Sequence, residues 1–518
     1  MNKKILISLL YLLILASTAH AVLRVTDLRT EQLKNPLGID IRHPRLGWRI
    51  ESDEQNVMQT AYHILVASSP ELLAQGKGDC WDSGKVKTDA SQWITYQGET
   101  LKRNTPYYWK VKVYTHTNET DWSEPASWSM GLLNEADWQG QWIGLDRPAP
   151  GDSETQWSRL AARYLRKEFA LTKEVKRATV HIAGMGLYEL FINGQRIGEQ
   201  VLAPAPTDYR KTILYNTYDI TPQLQKENAI GVILGNGRFY TMRQNYKPYK
   251  IPTFGYPKLR LNLIIEYTDG SRQTIASDIS WKLTTEGPIR SNNEYDGEEY
   301  DARKELGDWN RTGYDDTNWI PAGRVSIPSG TLRAQMMPGM KVTESLKPVS
   351  IRKQGDKQIL DIGQNMAGWL RIRIKGQAGD SIRLRFAERL QPDGEIFTKN
   401  LRDAHCTDIY VVSGREPQDA TWAPRFVYHG FRYVEISGYP NAKTEDFTAE
   451  VVDDEMAHTG TFTCSDETLN QVLRNAFWGI RSNYKGMPVD CPQRNERQPW
   501  LGDHAMGSWG ESLFFNNH

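Results

Sequence analysis

The 518 residues carry 63 basic and 63 acidic side chains, so no net field directs the chain to nucleic acid or to an anionic membrane surface; neutral ligands such as sugars suit that balance. The length allows roughly three to five domains, each with its own core. Seventeen tryptophans and 24 tyrosines fit β-sandwiches and carbohydrate stacking equally, and composition does not separate the two.

Residues 1–21 read as a secretory signal: Lys3 and Lys4, an apolar run from Ile5 to Ala16, then Ala19-His20-Ala21 as a small-x-small cleavage site. The mature chain is expected to begin at Val22 and to be exported, to the periplasm or beyond. No cysteine follows the apolar run, which argues against a lipid anchor there, and no later segment reaches the roughly 20 apolar residues of a membrane span. Cys80, Cys406, Cys464 and Cys491 are widely spaced, without CxxC, so neither a zinc site nor a disulfide framework is indicated. Cys464 and Cys491 could pair if their loops meet; four buried thiols are the main expectation.

Residues 22–133 alternate with period two in runs such as His63–Val66 and Tyr108–Tyr114, broken by Gly, Pro and Asp turns, which predicts a fibronectin type III or Ig-like sandwich. Trp48, Tyr62, Trp109 and Trp128 are spaced as inward anchors, so they are expected in the core rather than on a ligand platform. Residues 134–337, after a Trp-rich linker, predict a jelly roll, with strands at Ala178–Ile182, Tyr188–Ile192, Gly231–Leu234 and Leu259–Tyr267 and a tight hairpin at Asn193-Gly194. Its polar loops, Thr207–Tyr209, Asn236–Tyr240 and the acidic run Glu294–Asp301, are candidates for sugar or calcium, since clustered carboxylates and carbonyls supply hard oxygen ligands, although no EF-hand spacing is present. No other cofactor is indicated. Residues 338–455 predict a third sandwich, with Asp361–Asn365 as a polar turn, strands at Leu370–Ile374, Ile382–Phe386 and Gly430–Ile436, and Glu388 as a possible second catalytic carboxylate or an ordinary edge residue.

At Phe462 the period changes to about three and a half. Ser465 is the expected cap of a helix with Leu469, Val472, Leu473, Ala476, Phe477 and Ile480 on one face, and Met506, Trp509 and Leu513 point to a second helix. Between them runs DCPQRNERQPWLGD, Asp490 to Asp503, with three carboxylates, two arginines and an indole framed by Pro488, Pro492 and Pro499; it is expected to be a rigid irregular loop. Sugar cleavage needs a carboxylic acid to protonate the leaving oxygen, charged groups to hold hydroxyls and an aromatic face for the apolar side of the ring, and this loop has each. The competing reading is a surface loop whose charges merely pair with one another.

That loop, with YELFINGQRIGEQVLAPAPTDYRKTILYNTYDIT (Tyr188–Thr221), GEEYDAR (Gly297–Arg303), DIGQNMAGW (Asp361–Trp369) and HGFRYVEI (His429–Ile436), resembles the bacterial α-L-rhamnosidases of glycoside hydrolase family 78, in family order. The resemblance implies β-sandwich domains followed by an (α/α)6 barrel at residues 456–518, and inverting hydrolysis of terminal α-L-rhamnosyl residues in a rhamnose-containing polysaccharide or glycoside. It implies Glu496 as general acid and Asp490, Arg494, Trp500 and Asp503 as residues that hold the sugar. Asn495 stands where the family often has Asp, and Gln498-Pro499 where Leu-Gly is usual, so Pro499 is expected to alter how Trp500 is presented. A barrel of twelve helices needs on the order of 200 residues, whereas 56 follow Phe462. The expectation is therefore a truncated barrel without the family's general base, weak or inactive alone, with a separate chain as one possible source of the rest. It further predicts that Leu469, Val472, Phe477 and Ile480 face water. The alternative is a non-catalytic exported carbohydrate-binding protein derived from such an enzyme.

Overall fold

A computed structural model describes residues 23–116, 118–152, 159–240 and 254–516; the leader read at residues 1–21 lies outside them. The chain is mainly β and divides into two compact units between Leu133 and Asn134. In the first, Leu23–Thr30, Arg45–Ser52 and Ile94–Thr95 form one sheet, and a second contains Gln59–Ala67, Pro106–Thr115 and Ala126–Ser129, with a five-residue helix α1 (Pro70–Ala74). Trp48, Tyr62, Trp109 and Trp128 are all buried, as their alternating positions require. The Trp48 ring stands edge-on to Tyr62 at 5.3 Å, and its indole N–H donates to Gln59 at 3.1 Å.

In the second unit, two β layers enclose an aliphatic core that includes Leu165, Val180, Leu190, Val232, Leu261 and Trp281. Val175–Met185 pairs with Lys258–Tyr267, and Leu187–Ile192 with Glu227–Gly235. Asn193 and Gly194 have φ of 51° and 83°, the two positive values a type I′ turn needs, and they place Ile192 opposite Gln195 as expected. Glu294–Asp301 departs from the loop read in the sequence. Its second half, Gly297–Asp301, is a strand paired in parallel with Thr407–Val411, so it belongs to the ten-stranded sheet of the next domain. Asp361–Asn365 likewise is no turn but a bulge inside one 17-residue strand, Lys357–Arg373, where Gly363 takes φ 83° and the register to His429–Ser437 shifts. The core of this large sheet, Leu360, Phe386, Phe431 and Val451 among others, runs without a break into Tyr164, Phe191 and Trp309 of the preceding layers.

Two helices follow, α2 (Glu467–Ser482) and α3 (Leu501–Phe514). Asp466, not Ser465, caps α2: its carboxylate accepts from the N–H of Thr468 and Leu469. The helix is tied to the β layers by Arg481, whose guanidinium pairs with Asp453 and donates to Glu344 at 2.5 Å and Thr343 at 2.7 Å. Of the four apolar residues of α2 expected to face water, two do, and Phe477 and Ile480 are half-buried. Leu469 and Val472 are exposed, Phe477 stacks on Phe515 at 5.1 Å, and α3 presents Leu501, Met506 and Trp509 at 82, 90 and 84% exposure.

Beneath these elements lies a buried polar node. Asp408 accepts the N–H of Glu298 at 2.9 Å and contacts the ring of His429 at 3.0 Å, while Glu298 accepts the N–H of Arg425 and Phe426. Desolvation pushes the Glu298 carboxyl up to about 8. A raised folded-state value means that the native state binds the proton more tightly, so this contribution is full below about 4.3, the unfolded value, and is lost as pH rises through about 8. Melting temperature should fall over that window, and Glu298→Gln should flatten the slope; an unchanged slope would show that Glu298 does not carry it.

Candidate functional site

The segment from Asp490 to Trp500 is irregular, as its prolines dictate, and it closes on itself: Asp490 N–H donates to the Gln498 carbonyl at 2.9 Å and Gln498 N–H to the Asp490 carboxylate at 2.7 Å. Inside that closure stands Glu496, 5% exposed. Arg494 Nε donates to Glu496 Oε2 at 2.9 Å and its Nη2 to Asp490 at 3.1 Å, while Trp500 Nε1 donates to Glu496 Oε1 at 2.9 Å. Four of the five residues expected to make the site are thus in contact. Asp503 is the exception: exposed in the first turn of α3, it stands outside the ion-paired cluster. It meets Asp490 and Trp500 as co-lining of a 290 Å³ cleft, together with Tyr484, His504 and Glu511. Despite Pro499, the indole is half-buried with its N–H on Glu496 and lines this cleft.

The loop is held from below by Arg497, whose side chain is fully buried. Its Nη1 donates to the carbonyls of Glu294 at 2.7 Å and Tyr428 at 3.0 Å, and the guanidinium lies 4.5 Å from the Tyr428 ring centre. Arg238 donates to the Arg497 carbonyl and pairs with Glu294 at 3.2 Å. The Asn236–Tyr240 loop is therefore a buttress and not a sugar platform, with Phe239 and Tyr240 buried. Two glycines make room. A Cβ on Gly430 would meet Pro492 Cγ at 2.8 Å and Gln493 Cβ at 3.0 Å, and one on Gly486, which has φ 74°, would meet Ala205 and Pro206.

The β layers add a wall that sequence reasoning missed. Arg402, at the end of a short turn (Lys399–Leu401), pairs with Glu496 Oε2 at 3.0 Å. Glu388, read as catalytic or ordinary, is half-buried; it accepts from Asn365 and Asn400, both at 3.1 Å, and desolvation raises its pKa against the opposing pull of those amides and of Arg494. The bulge in Lys357–Arg373 is what aims Asn365 there. Only a charge complement between Arg402 and a carboxylate far along the chain could have pointed to this wall, and a sequence does not show which charges meet.

Asp490, Cys491 and Glu496 bring donor atoms within 4.8 Å of one another. Their carboxylates pair with Arg494 and Arg402, and burial pushes the Cys491 thiol up to about 12. Among the described residues the loops proposed for calcium form no converging set: Asp208 pairs with Arg210, Glu294 with Arg238 and Asp301 with Arg303. All four cysteines are free; Cys406 and Cys491 are buried, but Cys80 and Cys464 only partly, and Cys464 does not pair with Cys491.

Replacing Arg497 by Met should cost about 3 kcal/mol of stability, because two buried carbonyls lose a charged donor. Urea denaturation checks this, and a loss below about 1 kcal/mol would mean that the pin is dispensable.

Four family models match in order: a Rha78A-like N-terminal immunoglobulin domain (residues 25–134), the alpha-L-rhamnosidase N-terminal domain (173–344), the bacterial alpha-L-rhamnosidase concanavalin-like domain (351–453) and its 6 hairpin glycosidase domain (457–518). An alpha-L-rhamnosidase of Formosa agariphila is 38% identical over 498 residues, 91% of this chain and 52% of that protein. The alpha-L-rhamnosidase structure from Dictyoglumus thermophilum superposes with TM-score 0.88 at 38% identity, covering 95% of this chain and 56% of that one. The Streptomyces avermitilis alpha-L-rhamnosidase complexed with L-rhamnose gives TM-score 0.88 at 28% identity, with 95% and 64% covered. The chain spans a little over half the length of the Formosa and Dictyoglumus relatives. It carries the immunoglobulin-like, N-terminal and concanavalin-like domains, and the start of the six-hairpin domain, of the family 78 α-L-rhamnosidases.

Proposed function

We propose that the chain supplies the acid half of an inverting α-L-rhamnosidase site. Glu496 protonates the glycosidic oxygen, and Asp490, Arg494, Trp500 and Asp503 hold a terminal α-L-rhamnosyl residue of an exported or environmental glycan. The observation that carries the reading is the buried Glu496 carboxyl, fixed at both oxygens and bordered by an indole beside an open cleft. A carboxyl so fixed has the orientation that proton delivery to a leaving oxygen requires. The relative crystallised with L-rhamnose supports the substrate class. The leader at residues 1–21 supports export to the periplasm or beyond.

Inversion also needs a carboxylate on the opposite face of the sugar to activate water. The open apolar faces of α2 and α3 are, in this reading, where further helices bearing that base pack, in a longer form of this protein or in a partner chain. A second reading, a binding protein without catalysis, draws on the same half-site, which can hold a sugar with no base present.

The purified chain should bind L-rhamnose, and Asp490→Asn or Trp500→Ala should weaken binding at least tenfold, about 1.4 kcal/mol. Hydrolysis of a chromogenic α-L-rhamnoside should stay near the buffer blank until the base is supplied, and any turnover should vanish in Glu496→Gln. Turnover that survives this substitution would remove Glu496 from the acid role.

A further inference from the structure

A second cleft, of 510 Å³, lies over one face of the ten-stranded sheet and shares no lining residue with the cleft beside Trp500. Small-molecule sites commonly enclose roughly 300–1,000 Å³. The strand Ser381–Ala387 runs through it, paired on one side with Thr407–Val411 and on the other with His429–Ser437, so its backbone is fixed from both flanks. Alternation sends Ile382, Leu384 and Phe386 into the core. Arg383 and Arg385 therefore stand together on the opposite face, about 7 Å apart along the strand.

The other charges of the cleft answer one another. Arg159 pairs with Glu299, and Lys357 with Glu435 at 3.1 Å. Asp296 accepts the His405 N–H at 3.1 Å, and Glu298 is buried beneath, where desolvation raises its carboxyl to about 8. Arg383 and Arg385 are exposed, and among the described residues neither makes a hydrogen bond, an ion pair or a ring contact. Like charges side by side on a sheet face repel, and a concave surface concentrates their field. An anion set between the two guanidinium groups relieves that repulsion.

We propose that this cleft is a second binding site, for the anionic group of an acidic saccharide: a uronate carboxylate or a sulfate ester seated between Arg383 and Arg385. Both groups offer paired oxygens, which the guanidinium fork takes up two at a time. Thr407 and Ser437 line the same cleft and supply hydroxyl partners for a sugar. That the anion is carried by a saccharide rests on the proposed function; that the cleft takes an anion does not.

The test titrates tetragalacturonate, its methyl-esterified form, a sulfated galactan tetrasaccharide and inorganic sulfate into the purified chain by calorimetry. One acidic saccharide or both should bind, which tells carboxylate from sulfate; the esterified form should bind at least tenfold more weakly, and added salt should weaken the acidic ones. Arg383→Gln combined with Arg385→Gln should lower their affinity at least tenfold at an unchanged melting temperature. The Ile409 methyl resonance, assigned by its loss in Ile409→Leu, gives a reading on the unaltered chain: Ile409 lies opposite Arg383, and its signal should move with the acidic saccharide and stay with the ester. Failure of both acidic saccharides to bind, equal binding of the ester, a stationary Ile409 signal or an affinity unchanged in a folded double variant would overturn the proposal. Binding of inorganic sulfate with neither saccharide would overturn the saccharide assignment. L-rhamnose is uncharged and should bind the double variant as it binds the unaltered chain, so loss of rhamnose binding elsewhere would count against the rhamnosidase reading and not against this cleft.

Discussion

A single buried guanidinium decides where the site can form. Among the described residues no carboxylate pairs with Arg497; its Nη1 donates to the carbonyls of Glu294 and Tyr428 and its Nε to that of Arg494, the rings of Tyr428 and Tyr295 lie against it, and its buried Nη2 has no hydrogen-bond partner. A fully buried cation is tolerated only where such oxygens and ring faces converge. That convergence lies where Glu294–Asp301 meets the approach to strand His429–Ser437. The loop is fixed there, and with it Glu496 one residue away.

The motifs in the sequence become intelligible as parts of this seat. The glycine of HGFRYVEI is a gap into which Pro492 and Gln493 fit, and GEEYDAR and HGFRYVEI meet over Asp408. DIGQNMAGW bulges so that Asn365 reaches Glu388, and its Asp361 takes a two-pronged bond from Arg432 at 2.8 and 3.0 Å. The Ala205-Pro206 pair of the long jelly-roll motif lies against Gly486 just ahead of the loop, where Asp454 accepts the Gly486 N–H with both oxygens and Lys485 donates to the Val452 carbonyl at 2.6 Å. The β domains are therefore more than a spacer before the helices: they build the floor and one wall of the acid's surroundings.

The strands and the buried tryptophans of the first domain were legible because period two and aromatic spacing are local properties of the sequence. So was the Asn193-Gly194 turn, whose two positive φ values only a few residues accept. The acid loop was legible for a different reason: its chemistry is concentrated in fourteen residues. Illegible were the cap, since Ser465 and Asp466 are equally good candidates one residue apart, and the sheet to which Gly297–Asp301 belongs, since its partner strand lies more than a hundred residues on. Arg402 escaped for the same reason. Its partner Glu496 is 94 residues away, and nothing local marks the pair. Asp503, close to Glu496 in sequence, lies outside the ion-paired cluster at the exposed start of α3, where it lines the cleft with Asp490 and Trp500.

What remains distinctive is a buried carboxyl held at both oxygens, an indole that joins it to a cleft lined by Asp490, Trp500 and Asp503, and helical faces that are partly exposed. The most direct test is a crystal structure of the chain grown with L-rhamnose. The account predicts the sugar in the cleft between Asp490, Trp500 and Asp503, with its anomeric oxygen within hydrogen-bond reach of Glu496. Sugar bound only elsewhere, or a cleft left empty at saturating L-rhamnose, would contradict it.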